Sequence, residues 1–295
     1  MVSFAAPAKM LGATLDEGIA RNEQSLTPDA APYRMIGAAG RRLRVGQWHG
    51  DGASSAPPLV MLTGIGMNLE LFEPLAASFG ERQVVAVEMP GIGATPDPLL
   101  PYTFQTMALT VAAVLDQLEI EQADVMGMSW GGALAQQFAF QHRRRTRRLA
   151  LVATSAGATM FPASFKTLRH LLNPAEYTVE KALKRNLGAL YAGGGAGEHV
   201  SLNTARPPSP LGWACQLAAF ATWSSLPFLP LLRLPVLVMG DEDDQIVPAC
   251  NTHVLAKAIP AARLEMFNQG GHLFLLSQRE KFVVKLREFL DSPQD

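Results

Sequence analysis

The chain carries little charge, few cysteines and no long apolar run. Lys, Arg, Asp and Glu make up 17% of its 295 residues, below the ~25% usual in soluble domains. The 25 basic residues nearly cancel the 26 acidic ones, which leaves no electrostatic case for nucleic acid or an anionic membrane surface as partner. Two cysteines, Cys215 and Cys250, are too few for a disulfide framework. Neither has a second Cys at metal-ligand spacing, and neither a metal nor another cofactor is expected. No segment approaches the roughly 20 apolar residues that span a bilayer, so no transmembrane segment is expected. The N-terminal MVSFAAPAKMLGATLDEG lacks a basic stretch followed by an unbroken apolar one, which predicts a soluble, cytoplasmic protein.

What is plentiful is apolar: 48% of the residues. Such a content fits a large core or an apolar surface kept for a greasy partner. Residues 1–33 show no sustained period and are expected to form an N-terminal arm. Arg34 to Trp48 reads as two short strands turning at Gly37-Ala38-Ala39-Gly40, and 49–57 as a loop. The runs Leu59–Leu62 and Val84–Val87 are buried strands, each entering a glycine turn. Apolar residues at 104, 107, 108, 111, 115 and 118 mark one face of a helix. Strands follow at 124–127, 149–152 and 236–239, with helices from Gly131 to about His142 and over 250–258. Phe282, Val283, Leu286, Phe289 and Leu290 share a face of a terminal helix. Strands apolar on both faces, alternating with helices, describe an α/β fold with a mostly parallel sheet covered on both sides. The interruption at 157–228 predicts a helical cap or lid inserted into a core made of 34–156 and 229–295.

The strongest chemical signal is Gly127-Met128-Ser129-Trp130-Gly131-Gly132, between a strand and a helix. A serine hydroxyl attacks only when a base removes its proton and its Oγ is held clear of the fold. The G-x-S-x-G spacing suits that pose, since small neighbours let a strained strand-to-helix turn pass closely. Six histidines are candidate bases: His49, His142, His170, His199, His253 and His272. His272 stands apart in Asn268-Gln269-Gly270-Gly271-His272, where two glycines allow a tight loop to return the imidazole over the sheet. His253 falls within a helix and reads as exposed. An acid that orients the imidazole is expected among Asp241, Glu242, Asp243 and Asp244, directly after the strand 236–239. The order Ser, Asp, His is that of the α/β-hydrolases. Two N–H donors for an oxyanion are expected from Trp130 and from Ile65 in the turn Gly64-Ile65-Gly66.

From Leu59 to about Leu290 the sequence resembles the α/β-hydrolase superfamily. Within it the chain is most similar to intracellular depolymerases of medium-chain-length polyhydroxyalkanoate. The matching segments are Gly64-Ile65-Gly66-Met67-Asn68-Leu69-Glu70-Leu71, Ser129 to Ala139 (SWGGALAQQFA), Tyr191-Ala192-Gly193-Gly194-Gly195 and Gly271-His272-Leu273-Phe274-Leu275. The resemblance implies Ser129 as nucleophile, His272 as base and an acid from the 241–244 loop. That loop is one residue longer than the family pattern: counting from Gly240 selects Asp243, counting back from Ile246-Val247-Pro248 selects Asp244. Asp244 is preferred, with Asp243 the alternative, because the helix beginning near Pro248 is the better anchor. The resemblance further implies hydrolysis of a poly(3-hydroxyalkanoate) or its oligomers through an acyl-enzyme on Ser129, with the polymer granule surface as a partner.

Met67, Trp213, Phe220 and Trp223 are candidate substrate-binding residues, within a wider apolar set of Met160, Phe161, Phe165, Leu171, Leu172 and Phe228. Packing beneath the cap is the competing role for each. Arg143-Arg144-Arg145 with Arg147-Arg148 is expected to cap the preceding helix on a solvated face. A general carboxylesterase or lipase would carry the same triad. A 3-hydroxyacyl transferase is disfavoured because no His here has an Asp five residues later. A non-catalytic binding module is the reading from another class.

Overall fold

A strand that is apolar on both faces needs cover on both, and the sheet of this protein has it. The computed structural model describes residues 32–49, 56–164, 206, 208–260 and 262–293. Most of the expected arm and loop tip, and within the expected cap Phe165, His170, Leu171, Leu172, Tyr191–Gly195 and His199, lie outside the described residues. Among the described residues eight strands form one sheet in the order β1-β2-β4-β3-β5-β6-β7-β8. They are β1 (Tyr33–Ala38), β2 (Arg41–Trp48), β3 (Leu59–Leu62), β4 (Val84–Val87), β5 (Ala123–Met128), β6 (Thr146–Val152), β7 (Val236–Asp241) and β8 (Arg263–Phe267). The β1–β2 and β2–β4 pairs are antiparallel; every other pair is parallel. The hairpin turn is tighter than the sequence suggests. Gly37 and Ala38 stay in β1, and only Ala39 (φ 47°) and Gly40 (φ 73°) turn, both left-handed as a two-residue hairpin of this twist requires.

Seven α-helices occur among the described residues: α1 (Glu73–Ala76), α2 (Phe104–Gln117), α3 (Trp130–Gln141), α4 (Pro210–Ala221), α5 (Ala249–Ala258), α6 (Phe274–Ser277) and α7 (Arg279–Leu290). Alternate strand residues sort onto two cores. Val60, Leu62, Val85, Val87, Val125, Leu149 and Val238 pack with Phe104, Val111, Phe138 and Leu255 from α2, α3 and α5. Leu59, Met61, Val84, Ala86, Met126, Ala150 and Met239 pack with Phe72, Phe79, Phe274, Phe282 and Leu286 on the other face. Thr103 caps α2 reciprocally, accepting from Thr106 N–H at 3.3 Å while its own N–H donates to Thr106 Oγ1 at 3.0 Å. β8 is a strand that hydrophobic patterning does not reveal. It is the sheet's last strand, with Arg263 and Leu264 exposed, so no apolar run marks it.

The arginine cluster departs from expectation. Arg143 and Arg144 are exposed, but Arg148 is buried. Its guanidinium donates to Phe289 O at 2.7 Å and Ser292 Oγ at 2.6 Å. Arg147 donates to Leu290 O at 2.8 Å and to Asp124 Oδ1 at 2.8 Å. Thus β6 clamps the carbonyl end of α7, where orphan C=O groups and the helix dipole favour a cation. Arg145 serves the end of α2 instead, through Ile120 O at 2.6 Å and Glu121 O at 3.0 Å. Fully buried Asp124 also accepts from Arg82 at 3.1 Å. Among the described residues no helix is long and apolar enough to cross a membrane.

Replacing Asp124 by Ala leaves Arg147 without its carboxylate partner and Arg82 with only the outer carboxylates of Asp291 and Glu81. The expected loss of stability in urea unfolding is about 3–5 kcal/mol. A loss below about 1 kcal/mol, the worth of an exposed pair, would refute this role.

Candidate active site

The parallel strands β3, β5, β7 and β8 deliver their following loops to one edge of the sheet, where open α/β folds bind ligands. β5 is buried throughout and passes through a single residue, Ser129, into α3. Ser129 has φ 54° and ψ −118°, outside the regions an L-residue prefers. Such a conformation costs on the order of 1–3 kcal/mol and persists only when its surroundings hold it. The Ser129 N–H donates to Val152 O at 2.8 Å, and its carbonyl accepts from Gly132 N–H at 2.9 Å and Thr154 Oγ1 at 2.7 Å. A methyl group at Gly127 would overlap the Gly131 carbonyl, and one at Gly131 would overlap the Leu62 carbonyl. Both glycines are therefore demanded by close backbone approach. The Ser129 side chain is half-buried.

The acid and the histidine come from neighbouring loops. Asp244 Oδ2 lies 2.8 Å from His272 Nδ1, with the two residues 6% and 5% exposed. Asp244 Oδ1 accepts from the N–H groups of Ile246 and Val247, each at 2.8 Å. Both carboxylate oxygens are thus used. A carboxylate only accepts, so His272 Nδ1 carries the proton and Nε2 is left as acceptor. Asp243 is exposed, and its Oδ2 accepts from Gln269 N–H at 2.7 Å. Of the two adjacent candidates, Asp244 meets His272 and Asp243 tethers the loop before it.

Asp241 has a role that residue type alone does not reveal. It is fully buried at the end of β7, its Oδ1 accepting from Asp243 N–H at 2.9 Å and its Oδ2 from Gly270 N–H at 3.0 Å. One carboxylate therefore ties the acid loop to the histidine loop. Burial pushes its pKa above the ordinary carboxylate value, against the pull of the N–H groups of Asp243, Gly270 and Gly271. The signal in the sequence is an acid placed directly at a strand end, facing a double glycine.

The turn after β3 lies against the serine. Its closing bond runs from Met67 N–H to Gly64 O at 3.2 Å, and Gly66 has φ 66°. A Cβ built on Gly64 would sit 3.5 Å from Ser129 Cβ and 2.8 Å from Met67 Sδ. Among the described residues no main-chain acceptor takes the Ile65 N–H, and the Trp130 N–H is among the first of α3, which have no intrahelical acceptor. Among the described residues no hydrogen bond joins Ser129 Oγ to His272. Such contacts are often long in unliganded hydrolytic sites and tighten with substrate.

The expected substrate-side residues divide by position. Met67 flanks Gly64, and the Trp213 ring closes on Gly66, 2.8 Å from where a Cβ would stand. Phe220 is half-buried against the core that includes α2, α3 and α5. Trp223 lies within that core, 4.7 Å from the Phe104 ring, with its indole N–H donated to Gln137 Oε1 at 2.6 Å. His253 is exposed on α5, and half-buried His142 packs on Phe138 at 5.0 Å at the C-terminal end of α3. Among the described residues no group of three or more His, Cys, Asp or Glu is placed to hold a metal ion.

A family model described as the alpha/beta hydrolase fold matches residues 57–278. The chain is 37% identical over 240 residues to a poly(3-hydroxyalkanoate) depolymerase of Ectopseudomonas oleovorans, covering 79% of this chain and 84% of the relative. It is 32% identical over 278 residues to a 2-hydroxymuconate semialdehyde hydrolase of Pseudomonas sp. (strain CF600), covering 87% and 93% respectively. The solved enol-lactonase from Burkholderia xenovorans LB400 superimposes with a TM-score of 0.77 at 21% identity, over 88% of this chain and 100% of that one, a likeness of fold. With its strand order, its Ser129 turn and these matches together, the chain belongs to the alpha/beta hydrolase family.

Proposed function

We propose that the protein is a carboxylic ester hydrolase of the Ser-His-Asp type, acting on poly(3-hydroxyalkanoate) or its oligomers. The observation that carries the chemistry is the 2.8 Å contact of Asp244 with His272 Nδ1, on the sheet edge where Ser129 sits in its strained turn. The contact sets the tautomer, so Nε2 receives the serine proton. Ser129 Oγ bonds to the ester carbonyl carbon, and the oxyanion rests on the N–H groups of Ile65 and Trp130. Collapse breaks the carbon–alkoxide bond, and the alcohol leaves with the proton from His272. Water then gives a proton to His272 and attacks the acyl carbon; the acyl–Oγ bond breaks, the acid leaves, and His272 returns the proton to Ser129 Oγ.

The substrate class rests on the depolymerase relative at 37% identity. Met67, Trp213 and Phe220 are the proposed apolar contacts, beneath a cap formed by 157–228, while the core position of Trp223 favours packing. The expected site of action is the cytoplasm, at a polymer granule surface. A hydrolase of small esters or related small molecules is the second reading. It is favoured by the 32% identity to the semialdehyde hydrolase over 93% of that protein.

Ser129→Ala is expected to lower kcat on the order of 10⁴–10⁶-fold and to abolish labelling by a fluorophosphonate. Unchanged turnover or labelling would exclude this nucleophile. Asp244→Asn should lower kcat about 10⁴-fold. Asp243→Asn removes an exposed charge but keeps an oxygen that can accept from Gln269 N–H, and should cost less than about tenfold. The reverse ranking in steady-state assays would move the acid to Asp243. Turnover of p-nitrophenyl esters should rise from acetate toward medium chains, and native polymer granules should be degraded. Preference for acetate with granules untouched would leave the small-ester reading.

A further inference from the structure

The candidate oxyanion donors are main-chain groups, so what orients their peptides matters as much as the triad. Gln216 lies in the middle of α4 and is fully buried. Its Oε1 accepts from Gly66 N–H at 2.9 Å, in the turn that carries Ile65. Its main-chain carbonyl accepts from the Trp130 indole Nε1–H at 2.9 Å, on the residue after Ser129. One residue of α4 therefore holds both segments that carry the proposed donors. The Gly66 contact also fixes which way the amide faces, because the flipped amide would set NH₂ against N–H. Its Nε2 is then buried without a hydrogen-bond partner among the described residues. A buried amide with an unpaired donor is a poor choice for packing alone, where Met or Leu would fill the space at lower cost. What glutamine adds here is the acceptor.

The turn geometry shows why that acceptor matters. Gly66 is left-handed while Ile65 is not, the pattern of a turn whose middle peptide is flipped relative to the common form. The middle peptide joins Ile65 to Gly66, and its N–H is the one Gln216 holds. Without that acceptor the Ile65–Gly66 peptide is free to rotate about ψ of Ile65 and φ of Gly66, which loosens the turn that carries the Ile65 N–H.

We propose that Gln216 is a positioning residue: by holding the Gly66 N–H and the Trp130 indole, it sets the oxyanion-binding peptides and couples them to α4. This rests on the ester hydrolase reading above. Gln216→Met keeps length and helix propensity but removes the acceptor. The expected result with p-nitrophenyl hexanoate is a fall in kcat on the order of 10–100-fold, with KM changed less than about twofold. The inhibition constant of phenylboronic acid, whose serine adduct places an anionic oxygen in the same site, should rise in parallel. Gln216→Glu, which retains an oxygen opposite Gly66 N–H, should recover most of the loss. If Gln216→Met does not fold, Gln216→Asn, which withdraws the acceptor by one methylene, serves in its place. An unchanged kcat, an unchanged boronate constant, or equal losses in the Met and Glu variants would overturn the proposal. Wild-type protein that neither hydrolyses the ester nor takes a fluorophosphonate at Ser129 would overturn the ester hydrolase reading itself, and this role with it.

Discussion

The site depends on one backbone constraint, the left-handed conformation of Ser129 between β5 and α3. A serine relaxed into strand or helix would turn its hydroxyl into the fold, so the strain itself presents the side chain. The local stability for it comes from the parallel sheet. Val152 in β6 receives the Ser129 N–H, Thr154 just beyond it holds the carbonyl, and the Leu62 carbonyl in β3 comes so close that Gly131 admits no side chain. The strain is therefore confined to one residue and spread over three strands of support.

The remaining groups are placed by loop-to-loop tethers. Asp241 joins the acid loop to the histidine loop, Asp243 pins Gln269, and Gln216 pins Gly66. In each case a side chain accepts from a main-chain N–H, which fixes a peptide plane that would otherwise rotate. Loops at a sheet edge lack the ladder that orders strands, and side-chain acceptors replace it. The Arg147 and Arg148 clamps on α7 do the same at the opposite end of β6, through carbonyls.

Much of the fold was legible because its core strands are continuously apolar and separated by glycine turns. β8 was not, since a strand exposed at the sheet edge loses the run that betrays it. Ser129 and His272 stood out because glycines bracket them, and glycine marks places where backbone passes backbone. The carboxylate that meets His272 was legible only to within two neighbours. Asp243 and Asp244 are alike in type and adjacent in chain, and the choice turns on where the N–H groups of Ile246 and Val247 point. Arg147 and Arg148 read as solvated for a similar reason, because a charge run shows its type and not its direction.

By themselves the strand runs that are apolar on both faces determined a core on each side of the sheet, and the motif around Ser129 marked the candidate site. Both are written in local spacing, which period and residue size impose directly. Only the tertiary structure decided which acid meets His272, that Trp223 is spent on Gln137, and that Gln216 reaches Gly66 across 150 positions. Contacts of that kind join residues remote in sequence, and no local pattern encodes them. Their partners are peptide N–H and C=O groups, which every residue carries, so side-chain identity does not announce them.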